Sequence, residues 1–169
     1  MYGVFRSDLM SGTDVAADLV SVKFYDGSPE APAAIENGNV VKLSGLITGE
    51  REVNKGVTPA ANDSLEDIVI IGTPEVNYDE RKKNLDDFRN EAGDISRGFI
   101  PRSRNICSVT AEALDIAAGV TPAVGYVVEL QAGTKLKVVA SGTAGSTKFG
   151  EIIAIETTSR YTYYVIKIA

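Results

Sequence analysis

The sequence predicts a mainly β protein, an antiparallel β-barrel or sandwich with one short helix and an extended N-terminal arm. Three observations carry that prediction. Short apolar or alternating runs recur along the chain, among them "LVSVKFY", "NVVKLSGLI" and "EDIVIIG", separated by segments rich in Gly, Pro, Asn and Asp. Residues 124–169 read as four closely spaced strands, "YVVEL", "KLKVVA", "FGEIIAIE" and "RYTYYVIKIA", which predicts a meander. Only "YDERKKNLDDFRNEAGD" has the charged, helix-favouring composition and spaced apolar pair (Leu85, Phe88) of a surface helix, with Gly93 placed to end it. The full chain has 169 residues, enough for one core, so residues 1–18 are expected to form the arm and 19–169 a single β-rich domain.

The elements follow in order. In the arm, Tyr2, Val4, Phe5, Leu9 and Met10 carry more apolar surface than water tolerates. The arm therefore either adds a strand to the sheet edge of a partner or packs on its own domain. Leu19 to Tyr25 alternates and stops at Asp26-Gly27, a tight-turn dipeptide, and "SPEAPAA" reads as a linker. "NVVKLSGLI" and "EDIVIIG" are core strands, and the continuous apolar run of the second fits burial on both faces. After the expected helix, "ISRGFIPRSRN" places Arg97, Arg102 and Arg104 together with no acid among them. Such a stretch is either a solvated loop or a docking surface for an acidic partner. The pentapeptide "GVTPA" occurs at 56–60 and 119–123, but the flanks differ, and it reads as one turn chemistry used twice. In the last strand both faces carry apolar groups, which predicts core packing on one side and a packing or assembly contact on the other.

Composition narrows the function. A net charge of −6 disfavours nucleic acid and anionic membranes, which recruit cationic surfaces, so the expected partners are proteins. No apolar run approaches the roughly 20 residues of a membrane-spanning helix, and the first residues lack the pattern of a signal peptide. Histidine is absent, which removes imidazole-dependent catalysis and the commonest zinc ligand. The lone Cys107, with no histidine to activate it, reads as a buried hydrophobe and suits a reducing cytoplasm. The acid pairs Asp79/Glu80, Asp86/Asp87 and Glu50/Glu52 lie in mixed-charge stretches that read as solvated faces. No tryptophan is present to stack a sugar beside them. "SGTAGSTKFG" lacks the ending of a phosphate-binding loop. No catalytic, cofactor-binding or metal-binding residue is predicted, and the protein is expected not to be an enzyme.

The order of segments resembles the capsid decoration, or cement, proteins of tailed bacteriophages. The likeness runs through "AAIENGNVVKLSG", "GEREV", "DIVIIGTPEVNYDERKKNLDDFRNEAGDISRGFIP", "CSVTAEAL" and "GTKLKVVASGTAGSTKFGEIIAIETTSRYTYYVIKIA", covering most of the chain. The resemblance implies a non-enzymatic structural virion protein, made in the host bacterial cytoplasm. It would assemble, often as a trimer, on the outer capsid surface, bind the major capsid protein and stabilise the expanded head against DNA pressure. On that reading Tyr2, Val4, Phe5, Leu9, Met10, Arg97, Arg102 and Arg104 are the candidate capsid or subunit contacts, without a cofactor. A receptor- or carbohydrate-binding β-module, or a neck or tail component, would share the architecture.

Overall fold

In the computed structural model, residues 1–10, 18–27, 29–79, 81–82 and 84–169 are described. The first half of the chain supplies β1 (Leu19–Asp26), β2 (Ala31–Pro32), β3 (Val40–Leu46), β4 (Val53–Val57), β5 (Ile68–Ile71) and β6 (Ser96–Phe99). The order β1-β4-β3-β5-β6 closes through a β6–β1 pairing into a small barrel, with β2 attached to the end of β1. Alternation fills it. Val22 and Phe24 of β1, Val41 of β3, and Val69 and Ile71 of β5 form an inner apolar cluster with Ile35. So narrow a barrel needs small residues where strands cross closely. A Cβ on Gly56 would sit 2.7 Å from the Val22 side chain and 3.1 Å from that of Val41.

The second half supplies β7 (Ile106–Thr110), β8 (Leu114–Ile116), β9 (Val127–Glu129), β10 (Leu136–Val139), β11 (Lys148–Thr157) and β12 (Thr162–Ile168), in the order β7-β12-β11-β9-β10-β8. This sheet wraps against the barrel over a shared core. Val40, Ile68, Ile70 and Phe99 face outward from the barrel wall and meet Cys107, Val109, Leu136, Phe149, Ile152 and Ile166. β5 is buried on both faces, as its unbroken apolar run predicts: Val69 and Ile71 point into the barrel, Ile68 and Ile70 into the shared core.

The mainly β fold stands, and four expectations about its details change. The sheets are not purely antiparallel, because β1 pairs with β4, and β8 with β10, in parallel. The last four strands are not a sequential meander: β9 lies between β10 and β11, each of which it pairs antiparallel. The charged stretch expected to be a helix contains, among its described residues, only a 3-10 turn at Leu85–Asp87; positions 80 and 83 lie outside the described residues. Local bonds compete with helix there. Asp79 accepts from both the backbone and side chain of Arg81, and Asp87 accepts from the backbone and side chain of Asn84. The apolar pair Leu85 and Phe88 offers too narrow a stripe to hold a helix against the sheet.

The fourth change concerns the repeated pentapeptide. Gly56 is the close-packed strand residue just described, whereas Gly119 turns a loop at φ 79°. The two copies share composition but not conformation.

Candidate binding surface

The arm does not extend free. Val4, Phe5 and Met10 are buried, and Phe5 and Met10 belong to the shared core. Residues 4–6 run along β7 as an extra edge segment. Thr110 N–H donates to the Val4 carbonyl at 3.0 Å, Arg6 N–H to that of Ser108 at 3.0 Å, and Phe5 bridges Val109. Gly72 makes room: a Cβ there would lie 2.6 Å from the Phe5 ring. Phe5 also packs against Phe99 in a tilted ring contact, centroids 5.6 Å apart. Val4, Phe5 and Met10 therefore cannot serve as exposed contacts while the arm sits here. The strand-adding arm pairs with its own sheet because apolar side chains and an unpaired edge lie within one chain's reach. Tyr2 is half-buried, its N–H donating to the Asp86 carbonyl and its ring 5.3 Å from the Arg89 guanidinium. Leu9 is exposed.

The three arginines are all exposed but do not act together. The Arg97 backbone is tied to Thr73, its N–H donating to Thr73 Oγ1, and its side chain lies on the barrel's outer wall. Arg102 is engaged by Asp18 at 2.6 Å. Arg104 makes no ion pair among the described residues. Among the described residues it is also the non-glycine residue held in the left-handed region, at φ 74°, with its N–H donating to the Ile168 carbonyl at 3.0 Å. An L-residue there costs about 1–2 kcal/mol.

Arg104 lines a groove of about 370 Å³ with Lys148, Glu151, Ile153 and Lys167. The sequence did not single out these lysines, which lie on β11 and β12 and come together only through sheet pairing: Lys167 stands opposite Glu151. Lys148 bonds Glu151 at 3.2 Å, while Lys167 has no ion pair among the described residues. The groove lies on the β12 side of β11 and ends at Ile153, where the opposite side of β11 becomes a strand edge. β9 pairs with β11 only as far as Glu151, and Tyr126 and Gly125 continue the bonding to Ile152. β12 accompanies β11 on its other side as far as Thr157. Among the described residues no strand lies along the outer edge from Ile153 to Thr157. Ile153 and Ile155 are exposed there, as are Val120 and Val124 in the loop leading to β9. Ile152 is buried and Ile153 exposed at the point where the β11–β12 register shifts.

Other polar clusters hold the fold together. Asp86, expected on a solvated face, is buried; its Oδ1 accepts from Tyr161 Oη at 2.6 Å and Arg160 at 3.1 Å. Burial alone would push this carboxyl up, but the bonds from Tyr161 and Arg160 outweigh it and hold it below the ordinary carboxylate range. Glu129 is buried too; its Oε2 accepts from the Thr143 N–H at 2.8 Å and pins the Gly/Ser/Thr loop. Burial pushes the Cys107 thiol up to about 12, keeping it protonated and unreactive as expected. Among the described residues no group of three or more acidic, cysteine or histidine side chains is placed to hold a metal ion.

The class these features define is a two-sheet β protein with a self-sealed arm and an open strand edge beside a cationic groove. No protein-family model matches the chain, and neither a curated protein nor a solved structure matches it.

Proposed function

We propose that this chain is a non-enzymatic structural virion protein that binds the outer surface of a tailed-phage capsid and stabilises the expanded head. The resemblance of its segment order to decoration proteins motivates the reading. The observation that carries it is the open β11 edge flanked by Ile153 and Ile155. Exposed isoleucines along an unpaired edge are a liability for a protein that stays alone and an attachment surface for one that assembles. The major capsid protein is the proposed partner and a homotrimer the proposed assembly unit. The arm, spent on its own β7, stiffens the body and leaves attachment to the edge.

The test is co-sedimentation with expanded heads made without this protein. Saturable binding at a fixed number of copies per head, with heads that retain DNA to higher temperature, is the expected result. Heads that neither bind the protein nor gain stability would refute the reading.

A further inference from the structure

We infer that the β11 edge from Ile153 to Thr157, together with the groove of Arg104, Lys148 and Lys167 at its start, docks an extended acidic segment of a partner protein. The inference deepens the decoration reading, on which the partner's identity rests, but its physical content is tested without any capsid.

The edge supplies the backbone half of the site. An incoming strand would continue the sheet along Ala154 to Thr157, which β9 leaves uncovered, packing against Ile155 with Ile153 at its entry. An edge that stays unpaired carries lysines along its length or bulges away from partners; here the lysines gather at one end and the irregularity is confined to Ile153, so β11 pairs regularly with β12 from Ala154 to Thr157.

The groove supplies the charge half. Three cationic side chains face one acidic side chain, Glu151, and the carboxylate of Ala169, in a chain whose net charge is −6. Lys148 is partly satisfied by Glu151, leaving Arg104 and Lys167 without ion pairs among the described residues. Clustered cations on an acidic body are complementary to a carboxylate-bearing segment and repel a basic one. Arg104 strengthens the case, because strained backbone at a position glycine would occupy without cost is retained where the side chain has work to do. The exposed Glu156 at the far end of the edge sets polarity, so the segment's acids belong at the Lys148 end.

The experiment is fluorescence anisotropy of the full chain with a labelled Val/Thr strand peptide carrying two glutamates at one end, run beside the same peptide with glutamines. The glutamate peptide should bind saturably and at least about tenfold more tightly, an advantage that salt erodes. Arg104→Gly should weaken binding at least about tenfold while leaving the melting temperature unchanged or higher, since it relieves the backbone. Ile155→Lys should weaken it through the edge. Equal binding of the two peptides, absence of binding, or normal binding by Arg104→Gly would overturn the inference. So would wild-type self-association abolished by Ile155→Lys, which would assign the edge to a second copy. Heads that bind wild type and Arg104→Gly equally would keep the decoration reading and remove this one.

Discussion

Single residues decide several outcomes here. Gly72 stands 2.6 Å, measured from a built Cβ, from the Phe5 ring. Gly72→Ala should therefore overpack the arm's seat and cost about 1–3 kcal/mol, read as a melting temperature lower by about 2–4 °C per kcal/mol in calorimetry. Asp86 makes a pH prediction. Its folded pKa lies below its unfolded value, so its contribution is full above the unfolded carboxylate range near about 4 and is lost as pH falls through the folded value. Asp86→Asn should cost about 1.5–3 kcal/mol near neutral pH, the scale of hydrogen bonds to a charged group. In urea titrations the gap between wild type and variant should close in acid; a gap independent of pH would contradict the role given to the charge. Neither residue's part was readable in sequence. Gly72 looks like the end of an apolar run, and Asp86 sits in a charged stretch whose partners, Tyr161 and Arg160, lie about 75 positions away along the chain.

At the scale of elements, the strands were legible and their partners were not. β5 declared its two buried faces through four consecutive aliphatic residues. β3 and β12 declared themselves by apolar runs of the right length. Propensity misled at 78–94, where side chains bonding to nearby backbone gave, among the described residues, a single 3-10 turn instead of a helix. The arm shows the same limit. Its apolar residues were visible, but the edge they cover belongs to β7, about a hundred residues on, and pairing across that separation leaves no local trace. Because the arm seals that edge, deleting Met1 to Met10 should lower the melting temperature by more than about 10 °C. The loss of Val4, Phe5 and Met10 from the core is worth about 1.5–3 kcal/mol each, and the bared β7 invites aggregation. Unchanged melting would restore the picture of a free arm.

For the whole molecule, the recurring apolar and alternating runs pointed to a mainly β protein, and composition showed it to be acidic and without histidine. The candidate surface was half visible. Arg104 stood out as one of three clustered arginines, but the fold separates them, leaving Arg97 on the barrel wall and Arg102 held by Asp18. Arg104 instead joins Lys148 and Lys167, brought from two strands by register alone. What emerges is a body whose two sheets share one core, whose arm is spent internally and whose open edge begins beside a cationic groove. A cryo-EM map of expanded heads incubated with the protein tests this account most directly. It predicts added density at regular positions on the outer capsid surface, with β11 turned toward the capsid. Heads without added density, or density with the β11 edge facing solvent and unpaired, would contradict it.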